Sequence, residues 1–479
     1  MEGQGIDGED SVEGILREVL TKVEPSEEER RKVHGFVETL TAKLNSRLSE
    51  AGIEGSAEIH GSVAKDTWLS GDRDLDIFIV LKKTYTRSIF PRVLDIVKEL
   101  VGTGWVEAYA EHPYIQAEIG GFQVDFVPCF EMDAAGRPLS ATDRTPLHTA
   151  FMREHLKAET RKEVLLLKQF MHGIGAYGAE VKVGGFSGYL CELLVIHYGS
   201  FLGTLRAASR WKKNTVLDAV GHYHGREGEL RKLGDHLIIV DPVDEKRNVA
   251  SAVVESKLWL CAAASREFLK APHLGFFFPP ETSAYSEEEL KRTMKERGSD
   301  MVFLLLLAGR QRVPDVLWGQ LYRAEKALRE LIEEHDFKVL RTAVWSDEKV
   351  NHILLFELER SILPRVKLHR GPPVEMEEMS ERFLRKHHES ENPITGPWVE
   401  EGRWWVEIER DYTEAGALLE DKLGNKGGIP VGVPRSMAEY LEAFSCRVNE
   451  GITDLYKQFP SFAVFLTDFL RGRPKWLRG

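Results

Sequence analysis

The sequence is poor in cysteine, has no long apolar run and lacks an excess of positive charge. Its four cysteines stand at positions 129, 191, 261 and 446, without a CxxC or Cys/His ligand spacing, so neither a disulfide framework nor a zinc site is indicated. The longest apolar run, residues 301–308, is much shorter than the roughly 20 residues that a membrane-spanning helix needs. The opening MEGQGIDGEDSVEG is acidic and glycine-rich, unlike a secretory or transit peptide. We therefore expect a soluble, cytoplasmic protein without a membrane partner.

The charge of the chain limits the ways in which it could bind nucleic acid. The formal net charge is −12 at pH 7, which argues against coating of RNA through overall charge. Lys and Arg exceed Asp and Glu by three between residues 141 and 250. So mild an imbalance is more typical of an ordinary solvated surface, and any contact with RNA must be local.

A chain of 479 residues is too long for one ordinary domain, and its patterns change along its length. Residues 11–52 have apolar positions at helical spacing, and from residue 55 the pattern is that of strands in a mixed sheet. The next segment is predicted to be mainly helical, until Pro272, Pro279 and Pro280 interrupt it. We expect an α+β multidomain protein with a mixed-sheet domain (1–144), a helical domain (145–272) and a further α/β unit with a tail (273–479).

Three aspartates form a candidate metal site. Asp74 and Asp76 flank Leu75 at the start of a predicted strand, so the two carboxylates point to one face and Leu75 points into the core. Two like charges held side by side are unfavourable unless a cation neutralises them, and hard oxygen ligands suit Mg²⁺. Asp125 lies between apolar residues on a later strand, where a lone carboxylate needs a partner. Together the three could hold two metal ions that activate a hydroxyl and stabilise a leaving pyrophosphate.

Gly61 and Ser62 open a predicted short helix, and such a turn offers backbone N–H groups, a hydroxyl and a favourable dipole to a triphosphate. Each piece also has a simpler explanation: a DxD pair is common, Asp72 could be a turn residue, and a Gly-Ser pair often ends a strand or caps a helix. In combination, the Gly-Ser turn, the DxD twelve residues after that serine and a strand aspartate about fifty residues later resemble the pattern of polymerase-β-like nucleotidyltransferases.

Several longer segments resemble archaeal (class I) CCA-adding tRNA nucleotidyltransferases. These segments are GSVAKDTWLSGDRDLDIF, AEHPY, VDFVPCF, DRTPLH, GIGAYGAEVKVGGFSGYLCELLV and DPVDEKRNVA, in the order and at the separations of that family. The resemblance implies a polymerase-β-like nucleotidyltransferase palm with a mixed sheet, followed by a helical neck and α/β body and tail domains. It also implies template-independent transfer of CMP, CMP and AMP from CTP and ATP to the tRNA 3′ end, with release of pyrophosphate, and repair of damaged tRNA 3′ ends.

The resemblance carries roles to individual positions. Asp74, Asp76 and Asp125 match the catalytic, Mg²⁺-binding triad, and Ser62 matches a triphosphate contact. Lys65 stands where the family more often has an arginine, so the cation is kept but a bidentate fork is lost. The positions that match contacts to the sugar and phosphates of the nucleotide are Thr145, His148, Lys168 and Tyr177. Arg247 matches an arginine that recognises the incoming base.

Two of these positions have alternative explanations. His148 could be no more than a residue of the N-terminal turn of a helix. Arg247 follows Asp241 and Asp244, so an ion pair within its own loop could account for it.

The resemblance implies tRNA as the partner and a homodimer. Near the end of the chain, Trp404 and Trp405 beside Arg403 resemble a tail element of the family, in which one ring could stack on RNA or both could pack in the core. A poly(A) polymerase or an oligoadenylate synthase shares the Gly-Ser and DxD pattern, and a catalytically dead RNA-binding relative is a further alternative. The downstream motifs and the complete aspartate triad favour CCA addition.

Overall fold

The computed structural model describes residues 6–109, 112–131, 143–233, 236–307, 312–388, 393–424, 426–441 and 444–477. The chain divides into two units, one formed by residues 1–280 with 474–479 and the other by residues 281–473. No helix among the described residues is long and apolar enough to cross a membrane.

The first part of the first unit is a five-stranded mixed sheet with helices packed on it. Its elements are α1 (Ile6–Val23), α2 (Glu27–Glu50), β1 (Gly55–Ile59), α3 (Gly61–Lys65), β2 (Asp74–Leu81), α4 (Phe90–Val101), β3 (Trp105–Tyr109), β4 (Pro113–Ile119) and β5 (Phe122–Phe130). The strand order is β1-β2-β5-β4-β3, in which β2 and β5 are parallel and the other pairs antiparallel. The predicted order of helices, strands and the short Gly-Ser helix is confirmed.

The core of this part lies between the sheet and the helices α2 and α4. Helix α2 buries one stripe at helical spacing, which consists of Val33, Val37, Leu40, Leu44 and Leu48. Strand β2 is apolar after its second aspartate because both of its faces are covered there, and the isoleucines and leucines on one face join that stripe. This packing fixes the strand ends that carry the aspartates.

The second part of the first unit is mainly helical, as predicted. Its elements are α5 (Arg144–His155), α6 (Ala158–Gly173), α7 (Gly188–Tyr198), α8 (Phe201–Ala208), β6 (Thr215–Leu217), β7 (Leu237–Asp241), β8 (Asp244–Asn248) and α9 (Glu255–Lys270). The segment DPVDEKRNVA, treated as a loop from the sequence, is mostly a hairpin strand. Its strand β8 pairs with β7, the wholly buried run LIIVD, and a turn at Pro242 and Val243 joins the two strands.

The second unit contains two antiparallel sheets. Its elements are α10 (Glu287–Arg297), β9 (Asp300–Leu307), α11 (Pro314–Glu334), β10 (Val339–Ser346), β11 (Asn351–Leu358), β12 (Val366–Pro373), α12 (Glu377–His388), β13 (Pro393–Glu400), β14 (Arg403–Glu409), α13 (Ala415–Gly424), α14 (Ala438–Leu441), β15 (Ser445–Val448), α15 (Ile452–Gln458) and α16 (Pro460–Arg471). The sheets have the orders β10-β11-β9-β15 and β12-β14-β13. The predicted α+β multidomain class is confirmed.

The two adjacent tryptophans lie on β14, and both are half-buried. Trp405 faces Trp398 across the strand pair, and the guanidinium of Arg370 lies 6.0 Å from the centre of the Trp405 ring. Trp404 packs instead on the other face, where its Cβ approaches Gly371. Neither ring is fully buried in the core.

Phe170 on α6 is a sensitive position for the stability of the first unit. Its ring is fully buried, and its centre lies 5.6–6.0 Å from the ring centres of Phe201, Phe268, Phe276 and Phe277. We expect Phe170→Ala to lower the free energy of unfolding by about 3–5 kcal/mol, because it leaves a cavity inside this cluster. Phe170→Leu should cost clearly less. Equal losses in urea denaturation would contradict this view of the core.

Candidate active site

Parallel pairing of β2 with β5 brings the predicted aspartates together. Asp76 lies directly beside Asp125 in this register. Leu75 is 2% exposed and faces the core, whereas Asp74 is exposed and Asp76 half-buried. Gln116 on β4 is the antiparallel partner of Asp125 and donates a hydrogen bond from Nε2 to its Oδ1 at 3.0 Å. The strand alternation therefore places the carboxylates as predicted.

These carboxylates line a cavity of about 560 Å³ in the first unit. The sheet supplies one wall, and α3, α5, α6 and α7 supply the others. Every predicted site residue except Arg247 lines this cavity. The predicted residues that do so are Ser62, Lys65, Asp74, Asp76, Asp125, Thr145, His148, Lys168 and Tyr177.

The environment of the three aspartates opposes their ionisation. Burial, together with the charges of Asp76 and Asp74, raises the pKa of Asp125 to about 6, although the hydrogen bond from Gln116 acts in the opposite direction. Burial also raises the pKa of Asp76, which the neighbouring charge of Lys65 partly offsets. The pKa of Asp74 is raised by burial and by Asp72. Three carboxylates that repel one another in a partly desolvated cavity are a donor set that a hard cation would stabilise.

The carboxylate groups of the site contact neighbouring protein groups. Among the described residues, no three His, Cys, Asp or Glu side chains stand close enough together to enclose a metal ion as placed. Asp125 is hydrogen-bonded to Gln116, and Asp76 Oδ2 lies against the backbone of Gly61. The residue types and their shared cavity therefore fit a divalent cation.

Gly61 is required by the approach of Asp76. Its φ is +65°, and a Cβ at this position would lie 1.9 Å from Asp76 Oδ2. Glycine therefore allows the turn at the start of α3 to pass directly beside the carboxylate. The same turn brings Ser62 into the cavity wall.

The two lysines of the predicted site share one buried carboxylate, that of Glu192 on α7. Lys65 Nζ donates to Glu192 Oε2 at 2.5 Å, and Lys168 Nζ lies 3.4 Å from Oε1. Thr67 donates to Oε1 at 2.6 Å, and its carbonyl accepts from Lys168 Nζ at 2.7 Å. Burial raises the pKa of Glu192, but the two lysines outweigh this and hold it below its ordinary value. Burial lowers the pKa of Lys168. The cluster therefore places two basic groups and one carboxylate beside the cavity.

The Tyr177 hydroxyl lies next to Gly188, the first residue of α7. The Tyr177 ring stacks on His172, with ring centres 4.0 Å apart. A Cβ on Gly188 would lie 2.9 Å from the Tyr177 hydroxyl and 3.3 Å from Lys168 Nζ. The absence of a side chain at Gly188 thus leaves room for both polar groups. Ser187 caps this helix by accepting from Leu190 N at 3.1 Å, which is the capping role that a Gly-Ser or Ser-Gly pair often has.

His148 and Arg247 meet at a second buried carboxylate, that of Asp241. Both His148 Nε2 and Arg247 Nη1 contact Asp241 Oδ2, at 2.8 and 2.7 Å. His148 lies on the second turn of α5 and stacks on Tyr189, with ring centres 4.0 Å apart. The ion pair considered for Arg247 within its own segment is therefore present. Asp241 thereby holds Arg247, which does not line the cavity, beside His148, which does.

Sequence reasoning missed Glu192 as a member of the site and considered Asp241 only as an alternative partner for Arg247. Glu192 is a single acidic residue in the apolar run YLCELLVI, and a buried carboxylate of this kind needs cationic partners. This pattern indicates that Glu192 is buried, but it does not identify the cations that pair with it, because Lys65 is 127 residues away from Glu192 in the sequence.

Known protein families match most of the chain. A nucleotidyltransferase domain family matches residues 41–148, the second domain of tRNA nucleotidyltransferases matches 162–278, and the C-terminal domain of CCA-adding enzymes matches 297–444. The CCA-adding enzyme of Methanosarcina acetivorans is 39% identical over 95% of this chain and 97% of its own length. This chain belongs to the CCA-adding enzyme family. The prediction of a CCA-adding tRNA nucleotidyltransferase is confirmed.

Other members of the family give a similar match. The CCA-adding enzyme of Pyrobaculum neutrophilum is 38% identical, with 88% of this chain and 96% of that enzyme covered. The one from Archaeoglobus fulgidus is 39% identical, with coverages of 84% and 87%. A poly(U) polymerase structure covers 55% of this chain and 97% of its own, with 18% identity and a TM-score of 0.44, which is too low to bear on function. Nucleotidyltransferases use divalent metal ions, for which the carboxylate set above is suited.

The raised pKa of Asp125 predicts a gain in stability when the charge is removed. Because burial raises this pKa to about 6, the ionised carboxylate destabilises the folded state above that pH. We expect metal-free Asp125→Asn to melt at a higher temperature than the parent protein at pH 7.5. The difference should shrink as the pH falls through 6 towards 4, where the parent carboxyl becomes protonated in both the folded and the unfolded state.

Differential scanning fluorimetry in a chelator would measure this difference. Asp95→Asn, at a carboxylate on α4 with 67% of its side chain exposed, is the matched control and should change little at any pH. A melting temperature for Asp125→Asn at or below that of the parent protein at pH 7.5 would contradict the electrostatic description of the site.

Proposed function

We propose that this protein adds CMP, CMP and AMP to the 3′ end of tRNA, with CTP and ATP as donors and pyrophosphate as the leaving group. The observation that carries the proposal is the cavity that joins the aspartates of the sheet to the basic and aromatic residues of the helices. Membership of the CCA-adding family supports tRNA as the acceptor. Repair of tRNA that has lost part of its 3′ end is the same reaction on a shorter acceptor.

Asp74, Asp76 and Asp125 are proposed to hold Mg²⁺. When bound, the metal supplies Lewis acidity that favours deprotonation of the attacking 3′ hydroxyl and neutralises charge on the leaving pyrophosphate. The contribution of the chain is to keep three carboxylates on two paired strands, so that the acceptor hydroxyl and the α-phosphate meet at a fixed position. The hydrogen bond from Gln116 leaves further lone pairs of the Asp125 carboxylate for the metal.

The triphosphate is proposed to lie along α3 and the start of α7. Ser62 supplies a hydroxyl, and Lys65 supplies charge-assisted hydrogen bonds, with Lys168 and Tyr177 beside them. Among the described residues Lys65 Nζ donates only to Glu192, whereas Lys168 Nζ already has three acceptors on Thr67 and Glu192. The N–H donors that remain for the triphosphate are therefore those of Lys65. Thr145 and His148 line the same cavity at α5, where we propose the sugar. Arg247 is proposed to recognise the base.

We further propose how the chain is organised around this site. Residues 1–144 form the nucleotidyltransferase head, residues 145–272 the nucleotide-binding neck, and residues 273–479 the tRNA-binding body and tail. We also propose a homodimer, from the family resemblance, and a cytoplasmic location.

The activity is tested by incubating the protein with Mg²⁺, CTP, ATP and a tRNA that lacks its 3′ CCA, followed by sizing and sequencing of the product. We expect three residues, C, C and A, and then a halt. Asp125→Ala should fold and lose essentially all transfer, whereas Asp95→Ala on the same domain should retain it. An A tail of variable length would indicate a poly(A) polymerase. Activity of Asp125→Ala within tenfold of the parent protein would exclude the proposed catalytic role of the three aspartates.

Arg247→Ala tests the proposed role in base recognition. We expect it to weaken the selection or affinity of CTP and ATP more than the binding of tRNA, because the guanidinium is proposed to contact the base from its position beside His148, where Asp241 holds both side chains. Steady-state kinetics with each nucleotide and a filter-binding titration with tRNA separate the two effects. Unchanged apparent affinities for both nucleotides would count against this role.

A further inference from the structure

The Asp241 carboxylate contacts four hydrogen-bond donors, which lie on α5, on α7 and on the hairpin formed by β7 and β8. Its Oδ2 contacts His148 Nε2 at 2.8 Å and Arg247 Nη1 at 2.7 Å. Its Oδ1 accepts from Val243 N at 3.1 Å and from the Tyr189 hydroxyl at 3.3 Å. The side chain is fully buried, although it is not itself one of the cavity-lining residues. It lies behind His148 and Tyr189, which do line the cavity.

The charge state of this carboxylate determines which nitrogen of His148 carries the proton. Burial acts to raise the pKa of Asp241, but the hydrogen bonds from His148, Arg247 and Val243 hold it below its ordinary value, so the group is ionised at neutral pH. An ionised carboxylate has no proton to donate, and its Oδ2 can only accept. His148 must therefore donate from Nε2. Burial lowers the pKa of His148, so the ring is neutral and its Nδ1 has a free lone pair.

His148 Nδ1 is the remaining polar atom of the ring. Among the described residues it has no hydrogen-bond partner, and the ring lines the cavity. A lone pair in this position can meet a donor but not another acceptor. Phosphate oxygens only accept when ionised, so a phosphate next to this atom would be repelled. A hydroxyl of ribose or the exocyclic amine that cytosine and adenine share could donate to it.

We propose that Asp241 is a positioning residue, which holds His148 in the tautomer that presents an acceptor to the nucleotide and holds Arg247 beside it. The group that His148 contacts is then a hydrogen-bond donor of the nucleotide and not a phosphate. This inference rests on the proposed function and refines it. The family resemblance implied that His148 contacts the sugar or the phosphates of the nucleotide. The proposal keeps the sugar, adds the base edge and excludes the phosphates as the group that His148 contacts.

The tautomer can be measured without any reaction. Long-range ¹H–¹⁵N correlation spectra of histidine-labelled protein at pH 7.5 distinguish a protonated from an unprotonated ring nitrogen, and the resonances of His148 are identified by their loss in His148→Gln. We expect Nε2 protonated and Nδ1 unprotonated in the parent protein. In Asp241→Asn the amide can donate to Nε2, so a population with protonated Nδ1 should appear. Asp244 lies on the same hairpin as Asp241 and pairs with Arg144 of α5, not with His148. Asp244→Asn should therefore leave the tautomer unchanged.

The nucleotide group is identified by kinetics with two pairs of substrates. If His148 accepts from the 2′ hydroxyl of the sugar, the ratio of kcat/KM for CTP over dCTP should fall about five- to tenfold in Asp241→Asn, and not in Asp244→Asn. If it accepts from the base, the same fall should appear for CTP over its analogue without the 4-amino group.

Two results would overturn the proposal: protonated Nδ1 on His148 in the parent protein, or both kcat/KM ratios unchanged in an Asp241→Asn variant whose tautomer has shifted. The spectrum of the parent protein keeps the test decisive if Asp241→Asn does not fold. If the parent protein has the expected tautomer but does not add CCA, the proposed function is disproved, whereas the positioning of His148 by Asp241 still holds.

Discussion

The parallel pair of β2 and β5 is the constraint on which the rest of the site depends. It sets Asp76 beside Asp125 in register, and the two-residue period of β2 adds Asp74 on the same face. Such an arrangement is electrostatically unfavourable on its own, as the raised pKa values of the aspartates indicate. The apolar remainder of β2, packed under α2 and α4, holds the carboxylates in place despite this cost. Gly61 follows from the same constraint, since any side chain there would collide with Asp76.

Basic groups lie beside these carboxylates in the first unit, and two buried carboxylates of the helical part hold them in place. Glu192 keeps Lys65 and Lys168 together, and Asp241 keeps His148 and Arg247 together. A buried charge is tolerated only when it is paired and hydrogen-bonded, so each of these acids fixes the direction of its partners. The cavity therefore has two differently charged sides, one suited to a cation and one suited to a nucleotide.

Much of this site could be predicted from the sequence because its pieces are local. The alternation around Leu75 determined which face carries Asp74 and Asp76, and the Gly-Ser turn marked the start of a short helix. The two clusters around buried acids could not be predicted in the same way. Lys65 and Glu192 are 127 residues apart, and His148 and Asp241 are 93 apart, so only tertiary packing brings them together. The hairpin that carries Arg247 was also missed, since the polar run DEKRN has no strand pattern until it pairs with the buried strand LIIVD.

The central claim is that one cavity holds a divalent metal against the β2–β5 pair and the nucleotide against the helices. The most direct test is a crystal structure with Mn²⁺ and a non-hydrolysable analogue of CTP, with anomalous differences recorded to locate the metal. The account predicts an anomalous peak within coordination distance of Asp74, Asp76 and Asp125, with the triphosphate extending from it towards Ser62 and Lys168. A metal bound elsewhere, or a nucleotide bound without contact to these carboxylates, would contradict it.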